Sequence, residues 1–114
     1  MKKVILLTCL VLATAFLVVC KHENSPPVID DVIADPDSLG LGDTTTLSAT
    51  VHDDNDDTIT LMWDCIYGTF ISPDSQSVMW VSPDSQGFYY LTVVAQDEHF
   101  ATDTDSVEVK VISN

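Results

Sequence analysis

The sequence predicts an all-β domain, a sandwich of two antiparallel layers built from about seven short strands. Three observations carry that expectation. No stretch beyond residue 20 shows the 3.6-residue apolar period of an amphipathic helix. Short runs of alternating apolar and polar residues recur instead, separated by turn residues at regular spacing. Fifteen of the 18 acidic residues are aspartate, which favours turns over helix interiors.

The chain opens with a leader over residues 1–20. Met1-Lys2-Lys3 supplies a positive start and Val4 to Val19 an apolar run, the layout of an export signal. The run ends at Cys20, and Leu17-Val18-Val19-Cys20 resembles the lipobox of a bacterial lipoprotein, with Val19 where a small residue is usual. That resemblance implies lipidation of Cys20. Ala13-Thr14-Ala15 offers ordinary cleavage as an alternative, and retention as a short membrane anchor is a third. All three export the domain. Several acyl chains, at about 0.8 kcal/mol per buried methylene, would make attachment permanent. By the same resemblance, Lys21 after the cysteine points away from inner-membrane retention. The expected address is the bacterial cell envelope, at the outer membrane or cell surface.

Residues 21–27 form a short linker, and its Asn24-Ser25-Pro26-Pro27 is stiff because proline fixes its own φ and extends its predecessor. From Cys20 to the first proline the chain reaches about 20 Å at most, so the domain sits close to its anchor. The sandwich is expected over residues 28–114.

Val28 to Ala34 reads as the first strand. Ile29 and Val32 are three apart, which breaks the two-residue period and marks a bulge or edge at Asp30-Asp31. Asp35-Pro36-Asp37-Ser38 and Gly40-Leu41-Gly42-Asp43 read as turns. Thr45 to His52 places Leu47, Ala49 and Val51 on one face. After the acidic turn His52 to Thr58, Ile59, Leu61, Trp63 and Cys65 share a face. Tyr67 to Ile71 and Ser77 to Val81 are short strands, the second with Val78 and Trp80 inward. Between and after them, Ser72-Pro73-Asp74-Ser75-Gln76 recurs as Ser82-Pro83-Asp84-Ser85-Gln86, two turns of the same chemistry. Gly87 to Asp97 is the clearest strand, with Tyr89, Leu91, Val93 and Ala95 in register. Glu98 to Ala101 turns the chain into a last strand, Ser106 to Ile112, with Val107, Val109 and Val111 inward.

Charge excludes one class of partner. Outside the leader only Lys21 and Lys110 oppose the 18 acidic residues. Two lysines cannot build a basic patch, so nucleic acid binding is excluded and anionic lipid surfaces are disfavoured. Of the three cysteines only Cys65 lies within the sandwich, so no disulfide forms inside it.

Several segments together resemble PKD-type and cadherin-like bacterial immunoglobulin-fold modules. They are Asn24-Ser25-Pro26-Pro27-Val28-Ile29, Leu47 to Asp53 leading to Leu61-Met62-Trp63, Trp80-Val81-Ser82-Pro83, Gly87-Phe88-Tyr89, Val93 to Asp97, and Val107 to Val111. The resemblance implies an immunoglobulin-like, PKD-like Greek-key β-sandwich with Trp63 in its core. It implies that Tyr89 braces the turn before its strand, and that Leu91 stands where antibody domains carry a cysteine.

Asp53, Asn55 and Asp57 alternate, so an extended turn can converge their oxygens. Crowded carboxylates repel by roughly 0.5–1 kcal/mol per pair in water at ~5–7 Å, which a divalent ion would relieve. The resemblance implies calcium at this mouth, on residues matching Asn24, Ser25, Asp53, Asn55 and Asp97. Asn55 replaces an acid there, which lowers the affinity expected of an extracellular module, about 10⁻⁴–10⁻³ M. A solvated acidic turn is the plain alternative. His22, His52 and His99 are scattered, with no short spacing for zinc. No catalytic motif is visible.

The function expected is a non-enzymatic, membrane-anchored extracytoplasmic module for contacts with an unidentified protein. The alternative is a carbohydrate-binding accessory module, which needs an exposed aromatic row. The outward positions Thr60, Met62, Asp64, Thr92 and Val94 offer none, while Met62, Tyr90 and Phe100 are candidates for an exposed apolar patch.

Overall fold

A computed structural model of the chain describes residues 24–113. The leader, with Cys20 and its lipidation, lies outside the described residues. Eight strands run in order: β1 Val28–Asp35, β2 Ser38–Gly40, β3 Thr44–His52, β4 Thr60–Asp64, β5 Thr69–Ile71, β6 Ser77–Val81, β7 Gly87–Gln96 and β8 Thr102–Ile112. They form two four-stranded sheets, β1-β3-β6-β5 and β2-β8-β7-β4. Among the described residues no helix occurs. Consecutive strands β3 and β4, and again β6 and β7, lie in different sheets, which makes the connections Greek-key in type.

The count of eight rather than about seven comes from the first segment. Asp35-Pro36, joined by a cis bond, carries the chain from one sheet to the other. Ser38-Leu39-Gly40, whose ends were expected to close and open two turns, then pairs in parallel with Lys110, Val111 and Ile112 of β8. Three residues flanked by turn formers carry no period of their own, so this strand exists only because β8 offers it an edge. It is held by Lys110 N–H donating to the Asp37 carbonyl at 2.9 Å. Leu39 is thereby buried.

The bulge expected in β1 is present, because pairing with β3 shifts register between Ile29 and Asp31. The extra residue, Asp30, turns its carboxylate to His52 Nδ1 at 2.8 Å. The Ile29 N–H at the bulge donates to Asp103 Oδ2 across the sandwich at 2.8 Å, so the irregularity leaves that donor satisfied.

The core follows the alternation. Leu47, Ala49, Leu61, Trp63, Val78, Trp80, Leu91, Val93, Ala95, Val109 and Val111 are buried, each Leu or Val side chain contributing about 1.5–3 kcal/mol when fully removed from water. Both tryptophans anchor their indole N–H groups to backbone. Trp63 donates to the Ser75 carbonyl at 2.8 Å and Trp80 to the Tyr67 carbonyl at 3.1 Å. Tyr89 braces its turn as expected, its hydroxyl donating to the Ser85 carbonyl at 2.6 Å. The duplicated pentapeptides thus share a role. In each, the fourth residue, Ser75 or Ser85, offers its carbonyl to an aromatic side chain. The first copy also covers the β4 edge, where Trp63 N–H donates to the Pro73 carbonyl at 2.9 Å. Cys65 is a free thiol, half-buried against the core.

Candidate cation site and exposed aromatic face

At the mouth of the sandwich three segments converge: the residues before β1, the turn after β3 and the turn after β7. Asn24 Nδ2 donates to Asp97 Oδ2 at 2.7 Å, joining residues 73 apart in sequence. The backbone N–H of Ser25 donates to Asn55 Oδ1 at 2.8 Å. Asp53 is 8% exposed and organises the acidic turn. Its Oδ1 accepts the N–H groups of Asn55 at 2.8 Å and Asp57 at 3.4 Å. Asp56 takes the left-handed region at φ 56°, which aspartate tolerates in turns.

Asp97, 4% exposed, plays the same part in the other turn. Its Oδ1 accepts the N–H groups of His99 at 2.8 Å and Ala101 at 3.0 Å. Burial pushes this carboxyl up, but the bonds from Asn24, Ala101 and His99, with the imidazole nearby, together hold it below the usual carboxylate range. The two turns are tied by Thr58 N–H donating to Glu98 Oε2 at 3.0 Å, and by His99 Nδ1 lying 3.2 Å from Asp57 Oδ2.

All six residues considered for calcium therefore meet at one mouth, and in two roles. Asn55 spends an oxygen on the Ser25 backbone, and Ser25 contributes its N–H there. Asn24 Oδ1 and Asp53 Oδ2 are different, being buried acceptor oxygens with no partner. A buried carboxylate oxygen left unpaired carries a desolvation cost that a bound cation would remove. The residues present fit a hard divalent ion. Separation along the chain hid one participant, His99, which lies beside Asp57 and Asp97. Its placement two residues after Asp97 in a tight turn was the available signal.

A second pairing at this end involves His52, whose Nδ1 lies 2.8 Å from Asp30 Oδ2 and whose Nε2 lies 3.6 Å from Asp54 Oδ1. The hydrogen bond to Asp30, and then the charges of Asp30 and Asp54, hold His52 above its ordinary 6.5. With the folded value raised, the protonated pair adds stability below the unfolded value, and that contribution is lost as pH rises through the folded one. A melting series from about pH 6 to about pH 8.5 should show the wild type losing more than His52→Gln. Parallel curves would remove the pair as a contributor.

The opposite end of the same sheet is apolar on its outer side. Phe88 and Tyr90 alternate with the inward Tyr89 and Leu91, and they are 61% and 63% exposed. Ile66 and Tyr67 are also exposed, and with Cys65, Phe88 and Tyr90 they line a shallow groove. On the neighbouring strand, Lys110 Nζ lies 5.8 Å from the Phe88 ring centroid. Glu108, the cross-strand partner of Tyr90 on β8, holds its phenol above the usual value through hydrogen bonding and charge. Thr60, Met62, Asp64, Thr92 and Val94 supply no aromatic, as expected. The aromatic pair stands further along β7, where the alternation of the strand already pointed Phe88 outward. Met62, Tyr90 and Phe100 are exposed as expected.

No family model matches the sequence, nor does any curated protein. Solved structures do. The PKD domain of an M14-like peptidase from a Thermoplasmatales archaeon is 26% identical at a TM-score of 0.62, covering 78% of this chain and 98% of that one. The PKD1 domain of Vibrio anguillarum Epp is 22% identical at a TM-score of 0.62, covering 81% of this chain and 100% of that one. The chain has the PKD-type immunoglobulin-like fold. Parts of two longer chains are similar in structure to this one. A study of promiscuous specificity in carbohydrate-binding modules of the β-sandwich superfamily supplies one, at 18% identity and a TM-score of 0.64. The other is a nucleoside hydrolase-related protein from Saccharophagus degradans, at 15% identity and a TM-score of 0.59. The match covers 81% and 80% of this chain but only 36% and 26% of those.

Proposed function

We propose that this PKD-like sandwich is a non-enzymatic extracytoplasmic contact module, lipid-anchored at Cys20 and stabilised by calcium at its anchor-side mouth. The observation that carries this reading is the polarity of β7. The strand runs from Phe88, on the exposed aromatic face, to Gln96 beside Asp97, about 27 Å at strand rise. Asn24, only four residues after Cys20, is bonded to Asp97. A tether at Cys20 therefore holds the acidic mouth toward the membrane and turns the aromatic end outward, toward a partner. A photo-crosslinking residue at Tyr90, placed in the native cell, should capture that partner. The same probe at Thr50, exposed on β3 in the other sheet, should not. Equal capture at both positions, or none at Tyr90, overturns the reading.

Calcium is the ion supported at the mouth by Asn24, Ser25, Asp53, Asn55, Asp57 and Asp97, because hard oxygens dominate and two are buried without partners. At about 5 mM Ca²⁺ and a Kd of about 10⁻³ M or below, the melting temperature should rise by about 5 °C or more. Asp53→Asn should abolish the rise. No rise in the wild type removes calcium from this account.

The exposed Phe88 and Tyr90 favour a second reading, a carbohydrate-binding accessory module. Aromatic faces stack on sugar rings, and Glu108 beside them could accept from sugar hydroxyls. A pull-down on insoluble polysaccharide separates the readings. Retention that is lost in Phe88→Ala/Tyr90→Ala favours the glycan.

A further inference from the structure

We infer that Asp57, Asp97 and His99 form a site for a borderline divalent transition ion such as Zn²⁺, which shares Asp57 and Asp97 with the proposed calcium site and differs from it by an imidazole ligand. One donor atom from each of the three residues lies within 4.8 Å of the other two. The pairing of His99 Nδ1 with Asp57 Oδ2 at 3.2 Å is informative. Donor atoms at about 2.0–2.1 Å from a tetrahedral ion stand ~3.3 Å from each other, so this edge is already at coordination spacing. A metal would replace the hydrogen bond, with the imidazole proton moved to Nε2 and the lone pair of Nδ1 directed to the ion.

Backbone bonds aim the donors. Asp97 is 4% exposed, and its carboxylate is fixed by the N–H groups of His99 and Ala101 and by the Asn24 amide. The same His99 N–H bond sets where the imidazole starts. Asp57 is held by its own N–H to Asp53 Oδ1. Asp53, whose Oδ1 accepts the Asp57 N–H, is only 8% exposed, and its Oδ2 is a buried acceptor without a partner that both cation readings share.

Ligand type decides the ion. Calcium and magnesium take oxygen donors, whereas an imidazole nitrogen with two carboxylates suits zinc and its neighbours in the first transition row. Two carboxylates also match the ion's charge, and the half-exposed side of His99 leaves a position for water. Asp57 and Asp97 belong to both sets of donors, so the two ions compete.

The test uses the full chain with ZnCl₂, CoCl₂ and CaCl₂ separately, reading melting temperature, and visible d–d bands for Co²⁺. Expected are Zn²⁺ binding at least about tenfold tighter than Ca²⁺, Co²⁺ bands that Zn²⁺ displaces, and weaker binding of Ca²⁺ when Zn²⁺ is present. His99→Gln should weaken Zn²⁺ and Co²⁺ at least about tenfold while keeping the Ca²⁺ response, which also shows that the variant folds. His52→Gln should leave the Zn²⁺ response intact. A Zn²⁺ response unchanged in His99→Gln, or absent in the wild type, overturns the inference. A Ca²⁺ response without a Zn²⁺ response defeats this site alone, and the converse defeats only the calcium reading.

Discussion

Trp80→Ala is expected to destabilise the sandwich by about 3–5 kcal/mol, read as a lower urea midpoint at unchanged slope. Among the described residues Trp80 is the largest fully buried side chain, with 0% exposure. It stands on β6 between Thr45 of β3 and Phe70 of β5, and its ring lies 5.8 Å from that of Tyr89 on the opposite sheet. Truncation would open a cavity that these strands cannot close without moving. It would also leave the Tyr67 carbonyl without its indole donor. Domains of this kind have roughly 5–15 kcal/mol in total, so the variant would lose a large part of its stability. Trp80→Phe keeps a ring in the cavity and should lose less. A loss below about 1 kcal/mol for the alanine variant would contradict the packing described.

Gly68→Ala is expected to cost about 2–5 kcal/mol, although it adds a single methyl group to a loop. Gly68 has φ +78°, where a Cβ costs about 1–2 kcal/mol. That Cβ would meet Trp80 Nε1 at 2.5 Å, its Cε2 at 2.6 Å and the Val81 carbonyl oxygen at 2.6 Å. The ring is clamped by Tyr89 and by its bond to Tyr67, so it cannot yield cheaply, and overpacking adds about 1–3 kcal/mol. The two substitutions share one contact and should not be additive. In Trp80→Ala the added methyl would lose its clash with the ring and keep only the backbone and Val81 terms. A double-mutant cycle should therefore return a coupling of about 1 kcal/mol or more. Additive costs would mean that Gly68 matters for its backbone alone.

Much of the fold was legible in alternation. The register of Gly87 to Asp97 correctly put Leu91, Val93 and Ala95 inside, and the broken period at Asp30 marked a real bulge. Phe88 was not among the positions expected in an exposed patch, because the aromatic surface emerges only when Tyr67 and Ile66 arrive from another loop. Ser38 to Gly40 was not legible, because three residues hold no period and the partner strand lies some seventy residues away. In the candidate site, the turn at Asp53 to Asp57 stood out through its carboxylates. His99 did not, since an isolated histidine beside an acid in a turn is unremarkable until Asp57 is brought to 3.2 Å.

The sequence by itself determined seven of the eight strands, the faces they bury, the strong acidity, and the crowding of acids after His52. Each is a local property, set by side-chain period, turn chemistry or composition. Only the tertiary structure decided which oxygens at the mouth are left without partners, that an imidazole joins them, and that the aromatic face lies at the far end of β7. Those depend on Greek-key closure, which brings residues up to 74 positions apart within hydrogen-bonding distance. No local pattern encodes a meeting of that range, because what fixes it is the joint packing of two sheets.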